Sequence, residues 1–186
     1  DGDLGLDGEG LGEVANRYAR WMQGYYDALA ESDTPVVYSH DDLVWTSGPV
    51  FRPEWYRRYI FPNLRRYWAP LNEAGKKIIF VCDGNYTAFL DDVAACGNRG
   101  FWFEIFTDLE TVAERFGRTH ALIGNADTRV LLRNRRREIR AEVERCLAVG
   151  KGCPGYFLAV SNHIPANTPV EAALYYNECY ERLCRR

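Results

Sequence analysis

The sequence predicts an α/β protein, the C-terminal five βα units of a (β/α)8 TIM barrel preceded by one helix. Three observations lead there. Five extended segments, Pro35 to Asp42, Lys77 to Asp83, Gly100 to Phe106, His120 to Asp127 and Tyr156 to His163, each end in a polar or charged cluster. Each is followed by a stretch of helical character. The segments carry no polar alternation, as expected of parallel strands covered by helices. In such barrels the strand C-termini and the loops beyond them carry the chemistry. That places His40, Asp41, Asp42, Asp83, Asn85, Glu104, Asn125, Asp127, Asn162 and His163 on one face.

Residues 1–12 are rich in Gly and Asp without periodicity and read as a flexible lead-in, leaving 13–186 as one partial barrel domain. Leu11, Val14, Tyr18, Met22, Tyr25 and Leu29 recur at three- and four-residue spacing, the stripe of an amphipathic helix packed on the outside of the sheet. Asp33-Thr34-Pro35 ends it, and Val36 to Ser39 forms a short buried strand running into His40-Asp41-Asp42. After a loop over 46–53, Pro53 opens a helix that Pro62 kinks or splits and Gly75 ends.

Lys77 to Val81 is the next strand, and Asp83-Gly84-Asn85 turns into a helix over Tyr86 to Ala95. Phe101 to Phe103 leads through Glu104 to a helix over Leu109 to Phe116. Ala121 to Ile123 leads through Gly124-Asn125-Ala126-Asp127 to a helix from about Arg136 to Val149. Tyr156 to Val160, a loop over 161–168 and a helix from Pro169 onward complete the series. A closed barrel takes about 250 residues. Five units in 186 residues, with no initiating Met, predict a fragment of a longer chain or half of an assembly.

A hydrophobic fraction of 47% suffices for a core. A net charge of −3 and a pI near 5.7 give no electrostatic case for nucleic acid. The one basic run, Arg133 to Arg140, is answered by Glu138, Glu142 and Glu144 on the same helix and reads as a solvated face. No run approaches the ~18 apolar residues of a membrane span, and the N-terminus lacks the order of a signal peptide. Six cysteines without a C-x-x-C pair fit reduced thiols in a cytoplasm.

The ordered motifs resemble a known family. Asp41-Asp42, Pro53-Glu54-Trp55-Tyr56, Pro62, Gly75-Lys76-Lys77 and Cys82-Asp83-Gly84 are similar to the C-terminal part of the uroporphyrinogen decarboxylase superfamily. So are Glu104, Phe116-Gly117, Ile123-Gly124-Asn125-Ala126-Asp127 and Ile164-Pro165-x-Asn167-Thr168-Pro169, so that the likeness covers about residues 35–186. The resemblance implies a (β/α)8 barrel, and either the haem-pathway decarboxylase or a corrinoid-dependent methyltransferase. Zinc-dependent methyltransferases of the superfamily carry a His-x-Cys pair where this chain reads Val81-Cys82-Asp83, and a further Cys where it reads Ser161-Asn162. Those departures argue against zinc–thiol chemistry. The decarboxylases have a His near the last strand's end, within a residue of His163, while their substrate-binding arginines and key aspartate lie in the N-terminal half, outside this sequence.

Asp83 and Glu104 project from neighbouring strands, with His163 two units further round. Two carboxylates and an imidazole suit proton transfer to a leaving alkoxide, or a metal ion held by the same three residues. Strand-end carboxylates equally serve as loop-fixing acceptors. Asp41, Asp42, Asn85, Asn125, Asp127 and Asn162 are the substrate-binding candidates. Adjacent Asp41 and Asp42 should point to opposite sides of an extended segment, either one serving as a cap. Asp127 can also cap the next turn. Cys82, beside Asp83, reads as a small buried residue, and Trp45 and Phe51 as walls of a pocket for a flat or methoxylated substrate.

The expected function is methyl transfer between a small methylated substrate and a corrinoid protein, with a metal ion or the partner's corrinoid as cofactor. The alternatives are decarboxylation of uroporphyrinogen in porphyrin biosynthesis, or a noncatalytic half-barrel that associates with itself or with a missing N-terminal half.

Overall fold

The five apolar runs become five parallel strands whose order in the sheet follows their order in the chain. The computed structural model describes residues 8–185. α1 (Gly8–Glu31) precedes β1 (Val36–His40), a small hairpin of β2 (Val44–Trp45) and β3 (Gly48–Pro49), α2 (Pro53–Tyr59) and α3 (Phe61–Glu73). Then come β4 (Lys77–Cys82), a 3-10 turn (Thr87–Phe89), α4 (Leu90–Ala94), β5 (Gly100–Phe103), α5 (Leu109–Phe116) and β6 (Ala121–Ala126). α6 (Arg129–Leu132), α7 (Arg136–Gly150), β7 (Tyr156–Val160) and α8 (Val170–Leu183) follow. The sheet runs β1-β4-β5-β6-β7 with every pairing parallel, so β1 and β7 are its edges.

Side chains alternate across the sheet. Val37, Ile78, Phe80, Phe101, Phe103 and Leu122 point to the helices and are buried with Trp68, Leu64 and Leu71 of α3. The other face carries Val36, Tyr38, Trp102, Ile123 and Phe157 around an open concavity of about 730 Å³. Val36, Tyr38 and Phe157 are 42%, 58% and 60% exposed. The helices therefore cover one face, and the open one is the face that a closed barrel would turn inward. This is the partial barrel that the unit count predicts.

Three elements differ from expectation. The lead-in expected over residues 1–12 falls partly outside the described residues, and Gly8 to Gly12 already belong to α1. Their anchor is Trp55, whose indole Nε1 donates to Gly8 O at 2.7 Å. The stripe of α1 is only partly the buried face: Met22 and Leu29 pack on the core, but the face is rotated away from the other four residues. Gly12, Ala19 and Tyr26 are its buried residues, whereas Leu11, Val14, Tyr18, Trp21 and Tyr25 are exposed. The small residues decide this, because a Cβ on Gly12 would lie 2.5 Å from the Tyr59 ring. The helix expected over Tyr86 to Ala95 is a 3-10 turn and a single α turn, since Asn85 Oδ1 caps Thr87 and Tyr86 is drawn wholly into the core.

Other expectations are met. The split between α2 and α3 falls at Ile60, with Pro62 in the first turn of α3. Gly75, at φ +75°, follows the end of α3. Arg133, Arg135 and Arg140 pair with Glu138 and Glu144 on a solvated helix face.

Candidate active site at the strand ends

Parallel pairing sets the C-terminal ends of all five strands at one rim, and a mouth of about 380 Å³ opens there on the uncovered face. Its polar lining is His40, Asp83, Ser161, Asn162 and His163. Tyr38 and Trp102 form the floor, edge to face with ring centroids 5.5 Å apart. They also line the larger concavity beneath.

A continuous hydrogen-bonded chain crosses this rim. Asn162 Nδ2 donates to Asp83 Oδ2 at 3.1 Å and to Glu104 Oε1 at 2.6 Å. The other oxygen of Glu104 accepts the Gly84 N–H at 2.7 Å. Gly84 stands at φ +78° with Trp45 O where a Cβ would be, so only glycine presents its amide this way. Asp42 Oδ1 accepts from Asp83 N and from His40 Nε2, both at 3.1 Å, and the carboxylate partner fixes the proton of His40 on Nε2. On the far side Asn162 Oδ1 accepts the backbone N–H of His163 at 2.6 Å and its Nδ1–H at 3.0 Å.

Burial raises the Asp83 carboxyl above its ordinary range, with the charges of Glu104 and Asp42 adding to the effect. A carboxyl whose affinity for a proton is raised at an open rim is suited to proton donation. Cys82 is fully buried, and burial pushes its thiol up to about 12. Among the described residues, the His/Asp/Glu ligand atoms that lie mutually within 4.8 Å are those of His40, Asp42 and Asp83. This imidazole and two carboxylates could hold a divalent ion. The expected trio of Asp83, Glu104 and His163 is not such a set. Glu104 is engaged by Gly84 and Asn162, and His163 by the Asn162 carbonyl.

Of the substrate-binding candidates, Asp42 and Asn162 are at the rim. Asp41 turns to the helix side, into a separate cavity with Tyr26 and Tyr67, where burial lifts its carboxyl to about 6. Asn85 spends its side-chain oxygen on Thr87. Asn125 is wholly buried, donating to Thr107 O at 3.0 Å and accepting from Arg145 at 3.0 Å. Asp127 caps Arg129 and holds its guanidinium at 2.8 Å, which draws its carboxyl below the usual range against the opposing effect of burial. These last three fix loops and do not line the mouth. Phe51 stacks on Trp55 at 4.4 Å, and the floor expected of Trp45 and Phe51 is supplied by Tyr38 and Trp102. Strand alternation from His40 back to Tyr38 carries that signal.

A family model described as uroporphyrinogen decarboxylase (URO-D) matches residues 6–183. The chain belongs to the uroporphyrinogen decarboxylase family. Curated relatives named uroporphyrinogen decarboxylase include that of Pelobacter propionicus, 29% identical over 75% of this chain and 41% of its own length. One from Thermus thermophilus is 28% identical over 87% and 46%, and that of Carboxydothermus hydrogenoformans 27% over 93% and 47%. The chain thus spans less than half the length of these relatives. Among solved structures, a methyltransferase from Methanosarcina mazei superposes with a TM-score of 0.69 at 21% identity, over 90% of this chain and 48% of the other. That likeness shows the fold. Among the described residues no helix is long and apolar enough to cross a membrane, and all six cysteines are free.

Proposed function

We propose that this chain forms the carboxylate-bearing half of a methyltransferase mouth, which binds a small methylated substrate and passes its methyl group to a corrinoid protein. One observation carries the reading. Asp83 and Glu104 share the Asn162 amide, and Asp42 stands beside them on the Asp83 backbone N–H, so three carboxyl groups gather at this rim. Such a site favours a neutral or cationic substrate over one bearing many carboxylates. The aromatic floor of Tyr38 and Trp102 suits a flat or methoxylated ligand.

A corrinoid carried by a partner protein would supply the nucleophile that accepts the methyl group. As the bond between methyl carbon and the substrate's oxygen or nitrogen breaks, its electron pair stays on that heteroatom, and Asp83 delivers a proton there when the heteroatom is oxygen. Asn162 holds Asp83 and Glu104 in place, and the Gly84 amide fixes Glu104 from the other side. His40 and the Asp83 backbone N–H both bond Asp42, which fixes His40 at the rim beside Asp83, and solvent at the open mouth returns the proton to Asp83.

The names of the curated relatives support a second reading, decarboxylation of uroporphyrinogen, with His163 at the last strand's end. The two part in one experiment. The full-length protein is given methanol, methylamines and methoxylated aromatics with reduced cobalamin in solution, and separately uroporphyrinogen. Loss of a substrate methyl group, followed by NMR, is expected. Carbon dioxide release from uroporphyrinogen without any methyl loss would overturn the proposal in favour of the second reading.

A further inference from the structure

Asp41 and Asp42 part company at the end of β1. The Asp41 N–H still bonds Val81 O at 3.1 Å, so the extended pairing continues one residue past His40 and the alternation of side chains with it. Asp42 faces the rim, and Asp41 faces a cavity of about 170 Å³ between α1, α3 and the end of β1. We infer that this cavity binds a small organic ammonium ion, with Asp41 as counter-ion and Tyr18, Tyr26 and Tyr67 as its aromatic wall. The site is separate from the mouth and does not depend on the methyltransferase reading.

Burial and the neighbouring His40 and Asp42, with no hydrogen bond, set the environment of the Asp41 carboxylate, and no Lys or Arg is among the described residues lining the cavity. A desolvated carboxylate without a hydrogen bond is costly, and a cation supplied from solution offsets that cost. Tyr26 and Tyr67 stack at 4.7 Å with 7° between their planes. Tyr26 is held by its hydroxyl to Ser39 Oγ at 2.8 Å, and Ser39 in turn by Trp68 Nε1 at 3.0 Å, so this wall is rigid before any ligand arrives.

The lining chooses the class of cation. Hard divalent ions take six or more oxygen ligands, but one carboxylate is available here, since the Asn63 side-chain oxygen already accepts from Arg66 at 2.9 Å. Tyrosine faces and the Met22 thioether suit a weakly hydrated organic cation instead. The volume admits about five water equivalents, which is room for a few heavy atoms. His40 lines both this cavity and the mouth, so one side chain separates the two.

Tetramethylammonium chloride is the probe, titrated at pH 8 and constant ionic strength by calorimetry and ligand-detected NMR. A saturable component of the binding is expected to be weakened about tenfold by Asp41→Asn, about threefold by Tyr18→Ala, and little by Tyr67→Phe, which keeps the ring, whatever binds at the mouth. Asp83→Asn at the mouth should leave that component as it is in the wild type. Tyr18 is 57% exposed, so its replacement tests the wall even if Asp41→Asn fails to fold. Unaltered binding by the folded Asp41 and Tyr18 variants, a loss with Asp83→Asn instead, displacement by equimolar Mg²⁺, or no saturable binding at all would each overturn the inference.

Discussion

Asn162 stands beyond the end of β7, yet its amide lies 2.6 Å from Glu104 Oε1 beyond the end of β5, reaching past the end of β6 between them. The same nitrogen touches Asp83 beyond β4. One neutral side chain thus holds two carboxylates that burial and mutual repulsion would otherwise separate.

Replacing Asn162 by Asp should bring a third carboxylate against the other two. Activity of the full-length protein is expected to fall about a hundredfold, with the Asp83 carboxyl driven further up. Asn162→Ala should cost less, since it removes the tie without adding charge. Carboxyl titrations by NMR alongside turnover check both, and an Asn162→Asp protein as active as the wild type would exclude the positioning role.

Asp83→Asn and Glu104→Gln keep shape and lose charge. Turnover should drop by about 10² or more, while stability stays within about 1 kcal/mol, because each removes one of two mutually repelling groups. Kinetics beside urea denaturation separates the outcomes. Loss of folding in both variants would make the pair a structural cap.

Gly84 and Gly24 form a contrast. Gly84→Ala adds a Cβ at φ +78°, 2.6 Å from Trp45 O, and should destabilise by about 2 kcal/mol or more while loosening the amide that holds Glu104. Gly24→Ala, in α1 with nothing within 4 Å of its Cβ, should stabilise by about 0.5–1 kcal/mol. Denaturation midpoints of the two variants should move in opposite directions.

His120 lies against the rings of Phe101 and Phe116. Burial, and after it the charge of Arg99, lowers its pKa from the ordinary 6.5. The folded chain then binds fewer protons at this residue than the unfolded chain as pH drops below about 6.5, so its contribution to stability is lost in that direction. Urea unfolding at pH 7.5 and 5.5 should show a smaller pH dependence in His120→Leu than in the wild type. Equal slopes would count against it.

Association is the expected consequence of the open face of the sheet. Val36, Tyr38 and Phe157 leave an apolar surface that a monomer does not cover, and β1 and β7 offer unpaired edges. Light scattering of the purified chain is expected to show species larger than one copy, and Phe157→Asp should reduce them. A strictly monomeric wild-type chain would contradict this.

The strands are legible in the sequence because each is an unbroken apolar run ending in a polar cluster, and neighbouring parallel strands need nothing more to align. Helix α1 is recognisable by its period but not by its facing, since periodicity weighs the size of Tyr18 and Tyr25 and misses the close approach that Gly12 and Ala19 permit. At the rim, alternation shows that Asp41 and Asp42 diverge without saying which faces the mouth. Asn125 and Asp127 look like site residues by position, but their partners, Arg145 on α7 and Arg129 on α6, are set by tertiary packing and a short helical turn that carry no pattern in the chain. His40 joins the site through Asp42, two residues on and therefore on the same side of the extended segment.

The sheet order β1-β4-β5-β6-β7 repeats the order of synthesis, so each strand finds its partner in the unit just made. Contacts of this kind close short loops and form quickly. A growing chain could lay down such a sheet one unit at a time, without waiting for a distant segment. The slow event would be the meeting of the first and last strands of a barrel, which joins the most remote parts of a sequence. Any companion that closes this sheet would have to meet both edges at once, and the timing of its arrival, rather than the folding of these five units, would govern how fast a finished enzyme accumulates.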